Sequence, residues 1–142
     1  MKIFLDTNVL LDVLARREQF YAASAEVWSL AESGAVQGYI SAISFNNIYY
    51  VARKMVGKYK ADKALRILRD IFVPVAPDTQ ILNQAIDSTM DDFEDAIQFH
   101  SAIHAGAECL ITRNPGHFKV VETSIAISTP EEFLAVLRKR RA

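Results

Sequence analysis

Three short stretches of the sequence carry residue types that together could hydrolyse a phosphate ester. Asp6 directly follows the apolar run Lys2 to Leu5 and precedes Thr7-Asn8. A strand ending there would carry the Asp6 carboxylate to the rim of a sheet, where α/β proteins bind their ligands. Helix capping is the competing use, because Asp, Thr and Asn all favour the N-cap position. The second stretch, Asp91-Asp92-Phe93-Glu94-Asp95-Ala96, crowds acids at the start of a predicted helix, where the helix dipole favours carboxylates in any case. At about 100° per residue, Phe99, Ala102 and Gly106 fall within about 40° of Asp95, so Asp95 shares the face that packs on the sheet. An inward carboxylate with no basic neighbour in sequence is costly unless a cation or hydrogen-bond donors balance it. Asp91 or Asp92, one turn away, could join it. The third stretch, Leu110-Ile111-Thr112-Arg113-Asn114, ends an apolar strand in three polar residues before a Pro-Gly turn. Oxygens from Asp6, Asp92, Asp95 and the Asn114 amide suit hard Mg²⁺ or Mn²⁺, not a softer metal that takes Cys and His. His100 and His104 have metal-like spacing but lie roughly 140° and 180° from Asp95, so they are expected at the surface or in packing.

A different chemistry is concentrated between positions 53 and 69. Arg53, Lys54, Lys58, Lys60, Lys63, Arg66 and Arg69 fall there, with Asp62 as the only acid. A solvated helical face explains such a run, and so does a surface that tracks phosphates. An acidic pocket flanked by a basic stripe favours nucleic acid, with Arg53, Lys54, Lys58 and Lys60 as the expected nucleic-acid contacts. Tyr49 and Tyr50, beside the stripe, could stack on bases or belong to the core or a partner interface.

These groups must be positioned by short strands alternating with helices. Strands are expected at Lys2 to Leu5, Val36 to Ile40, Ile71 to Val75, Leu110 to Thr112 and Ile125 to Ser128. Helices are expected over Asn8 to Ala15, Tyr21 to Ser33, from an N-cap at Ser44 to Gly57, Ala61 to Asp70, after Asp78, from the acidic segment to Gly106, and after Thr129-Pro130-Glu131-Glu132. Parallel neighbours need crossover connections, so the alternation predicts an α/β fold: a parallel sheet covered by helices on both faces. The 142 residues suffice for one domain over 1–142, and their net charge of -1 argues against a protein that coats nucleic acid over its whole surface. Only five residues precede Asp6 and no apolar run is long enough to span a bilayer, so a cytoplasmic protein with no membrane association is expected. The single Cys109 lies in the apolar run Cys109-Leu110-Ile111 and is expected to be a small buried hydrophobe.

Taken in order, Ile3-Phe4-Leu5-Asp6-Thr7-Asn8-Val9-Leu10, Ser41 to Tyr50, Asp92-Phe93-Glu94-Asp95-Ala96 and Ile111-Thr112-Arg113-Asn114 resemble the motifs of the PIN domain, the nuclease fold of VapC-like bacterial toxins. The resemblance covers nearly the whole chain. It implies a three-layer PIN-like fold and an acidic pocket for Mg²⁺ or Mn²⁺. It also implies cleavage of RNA, often as the toxin of a toxin–antitoxin pair. An antitoxin protein and a second copy of the chain are then the protein partners to look for. By position, Asp6 corresponds to the family's first acid and Asp95 to its third, with Asp92 as an additional acid ahead of it. The second acid, usually a glutamate, falls at Asn47, and the fourth at Asn114; both are amides. A further acid often seen before a Phe is replaced by His117, ahead of Phe118. The resemblance thus implies Asp6, Asp92 and Asp95 as catalytic residues. It gives Asp6, Asp95 and Asn114 as metal ligands, with Asn47 and Thr112 in support.

Two other phosphate-handling folds fit less well. A haloacid-dehalogenase-type phosphatase needs a second aspartate two residues after the first, and that residue is Asn8. A response-regulator receiver needs an aspartate ending a central strand and a lysine after a later one, and no such pair is evident. The competing reading from another class is a PIN-like module with a weakened site that binds RNA or protein without cleaving.

Overall fold

The computed structural model describes residues 1–118 and 125–141. In chain order the elements are β1 (Lys2–Leu5), α1 (Thr7–Leu14), α2 (Glu18–Glu32), β2 (Gln37–Ser41), α3 (Ala42–Ile71) and β3 (Val73–Val75). They continue with α4 (Thr79–Ile86), α5 (Phe93–His104), β4 (Cys109–Ile111), a 3-10 turn (Pro115–Phe118), β5 (Ala126–Ser128) and α6 (Pro130–Arg141). All four strand pairings are parallel, in the order β3-β2-β1-β4-β5. The chain builds outward from β1 to β2 and β3, then returns to β1's other side for β4 and β5. The order therefore reverses at β1–β4, and a crevice opens at the carboxyl ends of those strands.

Strand alternation assigns the two layers. Ile3 and Leu5 of β1 face one core, shared with Val9 and Leu10 of α1, Val27 and Trp28 of α2, Ile48 and Leu68 of α3, and Phe133 and Leu134 of α6. Phe4 faces the other, with Ile81 and Ala85 of α4 and Ala96, Phe99 and Ala102 of α5. Helices thus cover both faces, as the alternation of strands and helices requires. Cys109 is buried. β3 lies at a sheet edge, where Pro74 removes no ladder donor that an inner strand would need.

Several helix signals act as read. Asp78 accepts from the Ile81 amide at 2.9 Å, and Thr129 and Glu132 form a reciprocal capping box at 3.1 Å each. The start of α3 is a correction: its N-cap is Ser41, whose hydroxyl accepts from the Ile43 amide, and Ser44 lies inside the first turn. The two serines are one turn apart, and β2 ends at Ser41 in register with Val75, which places the cap there. Ser44 is instead buried, its hydroxyl 2.6 Å from that of Thr7, tying α3 to the residue after Asp6. Gly57, at φ 84° and ψ 172°, breaks α3 into two helical halves at the expected place.

Close approach leaves Gly38 of β2 no room for a side chain unless a neighbour shifts. A Cβ there would stand 2.7 Å from Cδ1 of Phe72 and 3.2 Å from Cβ of Ala31, and Phe72 is itself held edge-to-face by Trp28 at 5.1 Å. Gly38→Ala should cost about 1–3 kcal/mol through overpacking. Urea unfolding monitored by Trp28 fluorescence checks this; an unchanged midpoint would show that Phe72 can yield.

Candidate active site

Asp6 leaves β1 at the reversal point, where its amide donates to the Ile111 carbonyl of β4 at 2.9 Å. Asp6 occupies the N-cap position of α1, yet its Oδ2 accepts from the Thr112 hydroxyl at 2.7 Å across to β4. Thr112 is fully buried, and its Oγ1 also accepts from the Asn114 amide at 3.1 Å. One threonine therefore fixes both the first acid and the turn that carries Asn114. Gln98, buried in α5, accepts from the Thr7 amide at 3.2 Å and braces Asp6 from the opposite layer.

The separated stretches converge on a cleft of about 370 Å³ lined by Asp6, Asn47, Asp92, Glu94, Asp95, Asn114 and His117. Asp92 is the N-cap of α5, and its Oδ1 accepts from the Asp95 amide at 2.9 Å. That bond satisfies one orphan donor of the helix, and Asp92 also lines the cleft. Asn47, from the first half of α3, donates to Oε1 of Glu94 at 2.8 Å. Asp95 is largely buried, with its Oδ2 at 3.5 Å from Nδ1 of His117.

The acids disturb one another. Burial is the main cause that pushes the Asp95 carboxyl up to about 6, and the charges of Asp6 and Asp92 add to it. Burial also raises Asp6, against hydrogen bonds from Thr112 and Gln98, and raises Glu94, with Asp6 and Asp92 contributing. The His117 imidazole opposes the shift at Asp95 and is the one basic group lining the cleft among the described residues. A pocket of four carboxylates and one imidazole carries surplus negative charge, the condition under which a cation binds.

The donor chemistry fits Mg²⁺ or Mn²⁺: carboxylates from Asp6, Asp95 and their neighbours, and the Asn114 amide, all hard oxygens. Among the described residues, no three His, Cys, Asp or Glu side chains converge on one coordination point.

The other residues singled out in the sequence lie elsewhere. His100 packs edge-to-face on Phe99 at 5.2 Å and His104 is exposed. Arg53 and Lys54 line a separate hollow with Tyr49 and Tyr50; Arg53 donates to the Tyr49 hydroxyl at 3.4 Å, and the Lys54 ammonium sits 5.2 Å from the Tyr50 ring centroid. Lys58 is exposed and paired with Asp62 at 2.8 Å, and Lys60 borders an apolar groove instead of the acidic cleft. Glu94 and Gln98 are cleft residues to which sequence reasoning gave no role. Gln98, three residues after Asp95, shared its helical face and was the available signal.

The fold and cleft together define an α/β protein with an acidic crevice at the carboxyl edge of a parallel sheet. The PIN domain family model matches residues 2–115, and the chain belongs to that family. Similar solved structures include DNA-bound VapBC from Salmonella typhimurium, at TM-score 0.69 and 19% identity, covering 92% of this chain and 98% of that one. VapBC2 from Rickettsia felis bound to a fragment of its promoter matches at TM-score 0.68 and 18% identity, covering 91% and 98%. Mycobacterium tuberculosis VapC20, a toxin that cleaves the sarcin-ricin loop, matches at TM-score 0.67 and 14% identity, covering 87% and 98%. A comparison with curated proteins finds no match. Among the described residues no helix is long and apolar enough to cross a membrane.

Proposed function

We propose that this chain is a Mg²⁺- or Mn²⁺-dependent endoribonuclease of PIN type and the toxin of a toxin–antitoxin pair. The observation that carries the reading is the meeting of Asp6 and Asp95, from opposite layers, in one cleft with surplus negative charge. Asp6, Asp95 and Asn114 would hold the cation. When bound, it supplies charge neutralisation at the phosphodiester and makes a nearby water more acidic. Thr112 and Gln98 hold the Asp6 carboxylate in one orientation. Asp92 has one oxygen committed to capping α5, so Asp95 is the better placed to orient the attacking water. Arg53 and Lys54 project from the half of α3 that carries Asn47. Six residues further along the helix, or about 9 Å of rise, is a reach suited to contacting the RNA backbone next to the cleavage point.

Protein partners have their own support. Leu14, Ile48, Val51, Met55, Val56 and Ile67 line an apolar groove of about 320 Å³ between α1 and α3, of which Met55 and Val56 are exposed, as is Tyr59 further along α3. Exposed apolar surface of this kind marks an interface, and we assign it to an antitoxin or a second copy of the chain. The reading includes a single domain over 1–142 and a cytoplasmic location.

Amides at positions 47 and 114 favour a second reading, a module that binds RNA or protein without cleaving. Incubating the purified chain with single-stranded RNA separates the two. Cleavage is expected in Mn²⁺ and is expected to be absent in EDTA and in Asp6→Asn. RNA retained without cleavage at saturating Mn²⁺ would replace the enzyme reading by the module.

A further inference from the structure

Resting on that metal-dependent reading, we infer that Glu94 is a cation ligand of the cleft, delivering from α5 the carboxylate that position 47 of α3 lacks, with Asn47 as its positioning residue. The two side chains come from opposite layers and meet inside the cleft, Nδ2 of Asn47 donating to Oε1 of Glu94 at 2.8 Å. A neutral donor on one carboxylate oxygen fixes its direction without cancelling its charge. No Lys, Arg or His among the described residues pairs with Glu94, and its second oxygen accepts no hydrogen bond there. An exposed anion so oriented, lining the same cleft as Asp6 and Asp95, has a carboxylate oxygen free to turn toward a dication. The arrangement also explains how a site with an amide at position 47 keeps its charge: the acid is displaced to a neighbouring helix, and the amide serves as its hydrogen-bond partner. Such partners of ligating carboxylates orient the ligand and strengthen binding.

The alternative for Glu94 is that it merely complements the N-terminal dipole of α5, which would leave cation affinity unchanged. Calorimetric titration of the full chain with Mn²⁺ alone distinguishes them, with thermal unfolding confirming that each variant is folded. Glu94→Gln should weaken Mn²⁺ binding on the order of 10- to 100-fold, and Asn47→Ala on the order of tenfold. Asp87→Asn, an equal change of charge at an exposed residue that does not line the cleft, should leave it within about twofold. The exchange Asn47→Glu with Glu94→Gln should recover most of the affinity, because the charge returns to the same place from the other helix. By contrast, Asn47→Glu alone sets two carboxylates against each other. Glu94→Gln binding Mn²⁺ like wild type, while Asp6→Asn does not bind, would overturn the role of Glu94 and leave the metal reading standing. An exchange variant as weak as Glu94→Gln would overturn its placement opposite residue 47. Wild type that binds no Mn²⁺ would remove both.

Discussion

Asp95→Asn should raise the melting temperature of the metal-free protein by roughly 5 °C at pH 8, and abolish most of the further gain that Mn²⁺ gives wild type. The first half follows from the direction of the carboxyl's shift. In the folded chain Asp95 is pushed up to about 6 from 3.8, by burial first and then by the charges of Asp6 and Asp92. The native state therefore holds a proton that the unfolded chain has released, and the fold is favoured at low pH. The advantage is complete below about pH 3.8 and is lost as pH rises through about 6. Above that, an ionised Asp95 costs on the order of 2 kcal/mol, of which the dipole of α5 returns a part. An asparagine keeps the shape and avoids the cost, so variant and wild type should converge near pH 4 in EDTA and separate by pH 8. A cation reverses the ranking: at a hundredfold excess over Kd it stabilises by about 2.7 kcal/mol only the chain that binds it. Melting curves at four pH values, with EDTA and with Mn²⁺, contain the whole test. A variant less stable than wild type in EDTA at pH 8 would refute the crowding of charge, and equal responses to Mn²⁺ would place the cation elsewhere.

A site that destabilises its own empty state is what a metal-dependent function predicts, since the ligands are held close for a partner that must arrive. The same logic explains which parts of the site were legible in the sequence. Asp6 and Asn114 were readable because each ends an apolar strand, and the carboxyl edge of a parallel sheet collects such residues whatever their spacing. Asp95 was readable from helical periodicity with Phe99 and Ala102. The charge balance was not. The Asn47–Glu94 contact joins α3 to α5 across the sheet edge, and neither local propensity nor periodicity carries information about such a pair. Gln98 looked like an ordinary polar residue on a helix, yet it is 1% exposed and hydrogen-bonded to the Thr7 amide. The basic stripe was legible as charge but not as arrangement. The break at Gly57 separates Arg53 and Lys54, grouped with two tyrosines, from Lys60 on an apolar groove.

Asp12→Ala should cost about 3 kcal/mol, lowering the melting temperature by roughly 10 °C, although Asp12 does not line the cleft. Its side chain is 0% exposed, with Oδ2 at 3.0 Å from Nε of Arg113 and Oδ1 at 3.5 Å from Nη1 of Arg17. Arg16, at φ 48°, turns the chain so that Arg17 comes back over α1, and Phe20 covers the Arg113 guanidinium at 4.3 Å. Burial raises the Asp12 carboxyl even against both arginines, so desolvation outweighs pairing and the cluster contributes little net stability relative to an apolar one. Breaking it is different, because alanine leaves a cavity and the partly buried Arg113 without its counter-ion. Arg113 lies between Thr112 and Asn114, and its amide donates to Oδ1 of Asn8 at 3.4 Å. The clamp thereby holds the turn whose threonine orients Asp6. Asp12→Leu with Arg113→Met, which removes both charges and fills the space, should recover most of the stability. If the clamp also sets the turn, this double variant should nonetheless bind Mn²⁺ more weakly than wild type. Equal stabilities for Asp12→Ala and wild type would mean that Arg17 and solvent suffice for Arg113. A stable double variant with wild-type Mn²⁺ affinity would confine the clamp to stability and leave the orientation of Asp6 to Thr112 and Gln98.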